Sequence, residues 1–174
     1  MPAKRFVEQL NHQIGEEYAA HQQYVACAVY YASLTMPQLA RFFYEQALEE
    51  RGHAMMMVQY LLDSDAPVAI PGVAAPQVSF EDLVEPVALA LDQERRVTGQ
   101  INELTTIARE EADLASEVFM QWFIREQVEE VSTMSALLKV VTRSKDAVES
   151  IEDYVLREHS GTEADPGAPT IAGG

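Results

Sequence analysis

Apolar residues recur along most of the chain at three- and four-residue spacing, the period of helices with one buried face. Four long runs carry this pattern: about Lys4 to Leu34, Pro37 to Ser64, about Leu83 to Arg109, and about Leu114 to Arg143. A short fifth run, about Asp146 to Glu158, has Ile151, Tyr154 and Val155 on one side. The pattern predicts an all-α protein, a four-helix bundle with a short C-terminal fifth helix.

Each seam is interrupted near its middle. The first reads Leu10, Ile14, Glu17, His21, Tyr24, Ala28, Tyr31, and the second Leu39, Phe43, Gln46, Glu50, His53, Met57, Leu61. The third reads Val87, Leu91, Glu94, Val97, Ile101, Leu104, and the fourth Met120, Phe123, Gln127, Glu130, Met134, Leu137, Val141. An acid, its amide or a histidine stands where a core residue belongs, on every helix.

The connections decide whether those interruptions meet. Pro37 can open a helix without losing a backbone hydrogen bond, so Thr35 and Met36 mark a tight turn. Glu110 to Asp113 mark a second. Ser64 to Glu81 is an 18-residue stretch with Pro67, Pro71, Gly72 and Pro76. A 28-residue helix is about 42 Å long, and such a linker reaches up to about 60 Å. A long crossover between two tight hairpins makes helices two and three parallel; length alone also fits an antiparallel connection. Hairpins mirror residues about their turns. Glu17 mirrors His53 about position 35 and Glu50 about positions 33–34, on the first turn. Glu94 mirrors Glu130 about position 112 and Gln127 about positions 110–111, on the second. With a parallel crossover, all four helices bring their polar residues to one level.

Four buried carboxylates with no cationic side chain on the seams are strongly unfavourable unless they protonate or hold metal. Carboxylate oxygens with one imidazole suit iron or manganese better than a soft metal. Glutamates from facing helices, combined with Glu-x-x-His, build di-iron carboxylate bundles.

Charge and composition narrow the class further. The net charge of −16 argues against nucleic acid or an anionic membrane as partner, and suits a protein that attracts cations. Apolar residues make up 48% of the 174, as in one packed domain. Cys27, the lone cysteine, has no intrachain disulfide partner and fits a reducing compartment. No transmembrane or secretory segment is legible, so the expected location is the cytoplasm. The domain is expected to span 1–159, with a mobile tail from 160 to 174, rich in Gly, Pro, Ala and Thr. Gly15, Gly52 and Gly99, each in a helix interior near a candidate ligand, suggest close helix approach.

The segments Glu16-Glu17-Tyr18, Glu49-Glu50-Arg51-Gly52-His53, Asp92-Gln93-Glu94 and Glu126-Gln127-Val128-Glu129-Glu130, with Trp122, resemble the bacterial non-haem ferritins, and the resemblance covers residues 4–158. It implies a ferritin-like bundle in a 24-subunit cage that oxidises Fe(II) at a di-iron ferroxidase centre and stores ferric mineral. By that resemblance Glu17, Glu50 and His53 bind one iron; Glu50, Glu94 and Glu130 bind a second, with Glu50 bridging and Gln127 in or beside the site. Glu49, Glu126 and Glu129 match a third, outer iron site. Tyr24 and Trp122 match aromatics beside the centre, Tyr24 as a hydrogen-bond or electron donor or as a packed core tyrosine. Oxygen or peroxide is the implied oxidant.

Two departures separate the chain from the bacterioferritins, which repeat Glu-x-x-His in the fourth helix and place a haem-binding Met directly after the bridging Glu. Gln127 with Glu130, and Arg51, stand at those places, so no haem is expected. His21 is expected to support or pack rather than ligate. The alternatives are a di-iron oxidase or peroxidase of rubrerythrin type, opposed by the lack of a cysteine cluster, and a protective mini-ferritin, opposed by the negative charge and the intrasubunit site. The tail ending Gly-Ala-Pro-Thr-Ile-Ala-Gly-Gly is also a candidate for docking to a partner shell.

Overall fold

In the computed structural model, which describes residues 1–160 and 165–173, the helical runs become α1 (Lys4–Ser33), α2 (Pro37–Asp63), α3 (Glu85–Glu110), α4 (Leu114–Arg143) and α5 (Val148–Glu158). There is no strand among the described residues. α3 begins two residues later than the periodicity suggests, because Asp82 Oδ1 accepts the N–H groups of Val84 and Glu85 and Pro86 follows in the first turn. α5 also starts late. Extended Ala147 precedes it, with its N–H bonded to Ser144 O at 2.8 Å.

Both hairpins mirror as the turns require. Tyr31 stacks on Phe43 at 5.6 Å, His21 Nδ1 lies 2.6 Å from Ala47 O, and Tyr18 Oη donates to Met55 Sδ at 3.0 Å, so α1 and α2 are antiparallel. Thr98 with Gln127 and Arg109 with Glu117 do the same for α3 and α4.

Three of the helix ends share one closure. After α1, Thr35 N–H bonds Ala32 O and Met36 N–H bonds Tyr31 O, with Thr35 at φ 60°. Asp65 (φ 52°) and Ala112 (φ 54°) repeat it after α2 and α3. This six-residue closure satisfies the last carbonyls through a left-handed residue, usually glycine. At α4, Asp113 accepts from Ser116 N and Oγ and also from Ala3 N at 2.9 Å, tying the start of α1 to the α3–α4 turn. The start of α2 is closed by α5: Glu152 accepts Gln38 N–H and Leu39 N–H at 2.8 and 2.9 Å. A carboxylate there complements the helix dipole.

The crossover runs alongside α1, in the same direction. Asn11 bonds Pro67 O and Ala69 N–H, Gln23 exchanges two bonds with Gln77, and Tyr31 Oη donates to Leu83 O. Rising loop numbers meet rising α1 numbers, so the chain returns to the end where α2 began, and α2 and α3 are parallel. The glycines have other neighbours than facing helices. A Cβ on Gly15 would meet Pro71 Cγ of the crossover at 2.8 Å, one on Gly52 would meet Ile171 at 3.9 Å, and one on Gly99 meets nothing within 4 Å.

The buried apolar residues form two clusters. One holds Tyr24 to Tyr31 of α1, Leu39 to Ala47 of α2, Val87 to Leu91 of α3, Met134 to Val141 of α4 and two residues of α5. The other holds Phe6 to Ile14, Ala54 to Leu61, Val97 to Ala108 and Met120 to Phe123. Between them, on every long helix, lies a polar layer.

Candidate metal centre

That layer consists of Glu17, Glu50, His53, Glu94, Gln127 and Glu130, none more than 5% exposed. Each helix places its members there by the three-and-four spacing that buries the neighbouring apolar residues. His53 Nδ1 lies 3.3 Å from Glu50 Oε2 and 3.9 Å from Glu17 Oε2. Glu17, Glu50 and His53 offer ligand atoms that all lie within 4.8 Å of one another. His53, Glu126 and Glu130 form a second such group. The outer acid Glu126 thus reaches the level of the inner site, while Gln46 Nε2 engages Glu49 and Glu129 is exposed. Glu94 belongs to neither group; Tyr24 Oη donates to its Oε1.

The electrostatics mark the layer as unfinished. Burial pushes the Glu17 carboxyl well above the usual range, and Glu50 beside it adds to the effect. Burial does the same to Glu50, reinforced by Glu94, and to Glu130, reinforced by Glu50 and Glu94. Burial lifts Glu94 to about 7, with the Tyr24 hydroxyl and the Gln127 amide pulling the other way. Glu17 Oε2, Glu50 Oε1 and Glu94 Oε2 are buried without a hydrogen-bond partner among the described residues. Buried polar atoms are almost always satisfied, and a leftover set in one buried layer fits an ion. The donors, hard oxygens with one imidazole, fit iron or manganese.

Neighbouring residues hold these ligands. Thr98 Oγ1 lies 2.8 Å from Glu94 O and 3.0 Å from Gln127 Oε1, its one proton shared between the two acceptors. Gln13 Nε2 donates to Glu17 Oε1 at 2.8 Å. The sequence reading missed both, although Gln13 lies one turn before Glu17 and Thr98 one turn after Glu94, the spacing at which side chains meet on a helix. His21 Nδ1 lies 2.6 Å from Ala47 O, and His21 belongs to neither ligand group. Trp122 packs edge-on against His53, with ring centroids 5.6 Å apart.

On the α2–α4 side an open cavity of ≈ 880 Å³ leads to His53, past Glu49, Glu126 and Glu129. The tail, expected to be mobile, lies on its far wall. Trp122 Nε1 donates to Asp165 Oδ2 at 2.8 Å, holding that carboxyl below its ordinary range. Ala172 N–H bonds Met55 O at 3.2 Å. Residues 161–164 and 174 of the same tail lie outside the described residues.

A ferritin-like domain model matches residues 7–144. The chain is 51% identical over 170 residues to the ferritin BfrB of Mycolicibacterium smegmatis, covering 98% of this chain and 94% of the relative. It is 34% identical over 162 residues to a bacterial non-heme ferritin of Staphylococcus aureus, covering 93% and 96%. The open-pore ferritin of Archaeoglobus fulgidus superposes with a TM-score of 0.85 at 25% identity, over 89% of this chain and 96% of that one. With its bundle, its crossover and its buried acid layer, the chain belongs to the ferritin family, alongside the bacterial ferritins that it matches over nearly its whole length.

Proposed function

We propose that this chain stores iron: it oxidises Fe(II) at the buried acid layer and holds the ferric product as mineral inside a 24-subunit cage. The observation that carries the reading is the set of orphaned carboxylate oxygens on Glu17, Glu50 and Glu94, at one level beside His53. Glu17, Glu50 and His53 hold one iron, and Glu130 with Glu94 and the shared Glu50 hold the other, with Gln127 beside them. Two Fe(II) ions each lose one electron; dioxygen takes both, with two protons, to leave hydrogen peroxide, or hydrogen peroxide takes both, with two protons, to leave two waters. A paired site delivers two electrons without releasing a radical. Carboxylates favour the ferric product because hard anions stabilise the higher charge.

Glu49, Glu126 and Glu129 line the cavity mouth and serve as an outer iron site on the way through. No haem takes part: the residue after Glu50 is Arg51, exposed and without a thioether. Tyr24, bonded to Glu94, tunes that ligand. Among the described residues no helix is long and apolar enough to cross a membrane, which accords with a cytoplasmic protein. Docking of the tail to a partner shell would first have to release Asp165 from Trp122 and Ala172 from Met55.

Glu50→Ala tests the centre. Fast Fe(II) oxidation disappears while the metal-free protein keeps its helices; unchanged kinetics sink the proposal. Light scattering tests the cage: 24 chains of 19.4 kDa give roughly half a megadalton, and a monomer or dimer favours a di-iron oxidase instead.

A further inference from the structure

Gln13 is fully buried, on the α3 side of α1, and belongs to no ligand set. Its Nε2 sits between two acceptors, Glu17 Oε1 at 2.8 Å and Gln100 Oε1 at 3.3 Å. Those acceptors fix the amide's orientation, since the flipped amide would set oxygen against oxygen at both. The same arrangement leaves Gln13 Oε1 buried with no partner among the described residues. A buried amide oxygen left unpaired is unfavourable, so the contact to Glu17 is made against that penalty. The contact continues outward: Gln100 Nε2 donates to Glu16 Oε2 at 3.2 Å, and Arg96 Nε lies 3.7 Å from the same oxygen.

The effect on Glu17 is asymmetric. Its Oε1 is taken by Gln13, while its Oε2 is unpartnered and faces His53 Nδ1 at 3.9 Å. We propose that Gln13 is a positioning residue for iron: its amide N–H fixes Oε1 of Glu17, so that Glu17 binds through Oε2 alone, beside Glu50 and His53. An amide suits the task because it donates to a carboxylate without bringing a positive charge that would compete with the metal. Lys or Arg in its place would fill the site with its own cation. The inference rests on the ferroxidase reading, and it gives the first iron position a ligand with one available oxygen rather than two.

The test uses assembled protein and two readouts, anaerobic Co(II) affinity from its visible absorption and the rate of fast Fe(II) oxidation. Gln13→Leu removes the donor and keeps most of the volume; Gln13→Met serves the same purpose should Leu fail to assemble. Losing a bond that orients a metal ligand lowers affinity or activity about ten- to a hundredfold, and that is the expected fall in both readouts. A double-mutant cycle on Co(II) affinity separates positioning from packing. In a Glu17→Ala background the Gln13 variant has no further effect, because the oxygen that it orients is gone. Losses that multiply in the cycle, or a single variant within about twofold of the parent, overturn the assignment. Should Glu17→Ala itself leave oxidation unchanged, the centre falls and Gln13's role with it. Should Glu17→Ala abolish oxidation while Gln13→Leu has no effect, only the role of Gln13 falls.

Discussion

Metal binding at the acid layer is expected to expel protons, and the amount follows from the burial of its carboxyls. Glu94 is lifted to about 7, and Glu17, Glu50 and Glu130 are lifted well above their usual range by desolvation and by one another. With a value near 7, Glu94 alone carries about nine-tenths of a proton at pH 6, half at pH 7 and one-tenth at pH 8. The other three add to this, so the metal-free layer holds between about one and four protons per subunit at pH 6. Ligation requires the anions and drives these protons out. The perturbation is anaerobic Zn(II), which has no redox chemistry, added to metal-free cages in a pH-stat. Exposed carboxylates are already ionised at pH 6 and contribute almost nothing, so the release reports the layer together with the half-buried Glu49 and Glu126, whose carboxyls burial also raises. It should exceed one proton per subunit at pH 6, and the Glu94 share of it should fall towards pH 8. Glu94→Gln should remove about half a proton from the release at pH 7. Release below about 0.3 proton at pH 6, or an unchanged release at pH 7 in Glu94→Gln, would refute the electrostatic reasoning. The same linkage fixes a sign for stability. A carboxyl raised on folding stabilises the metal-free protein at low pH, and that contribution is lost as pH climbs from about 4.5 through about 7.

Tyr24→Phe removes a donor that favours ionised Glu94, so its carboxyl rises further, and the pH-stat should record more release at pH 8 than in the parent. Thr35→Gly relieves a β-branched residue at φ 60°, and the chemical denaturation midpoint should rise by the equivalent of about 1 kcal/mol per subunit; no change would mean the turn is unstrained. Trp122→Phe keeps the ring against His53 and deletes the bond to Asp165; limited proteolysis should then clip the tail several-fold faster.

The helices and the acid layer were legible because both depend on periodicity. The seams mark Glu17, Glu50, His53, Glu94, Gln127 and Glu130, the turns at Thr35 and Ala112 pair them within each hairpin, and the parallel crossover brings the two hairpins to one level. What was not legible depends on side-chain direction. Gln13 and Thr98 look like ordinary polar residues until their donors point at Glu17 and Gln127. Glu126 moves inward to His53 while its fingerprint neighbour Glu129 stays in solvent, and no spacing rule separates them. The tail's contacts join Asp165 to Trp122, 43 positions apart in sequence, and Ala172 to Met55, pairings that composition cannot give.

The division of the core into two apolar clusters by a polar layer also governs how the helices align while the chain folds. Uniformly apolar seams would tolerate one helix sliding past another by a turn, about 5.4 Å, with little penalty. Here such a slide would set Glu50 and His53 against Ala47 and Ala54 levels, and charged or protonated acids against Leu and Phe. A single buried polar position fixes register in coiled coils at some loss of stability; this chain has at least one on each of four helices. Replacing Glu17, Glu50, Glu94 and Glu130 together with leucine should therefore give a more denaturant-resistant protein with several slipped packings, seen as peak doubling in methyl spectra. The residues that receive iron thus also specify which of the possible bundles the chain becomes.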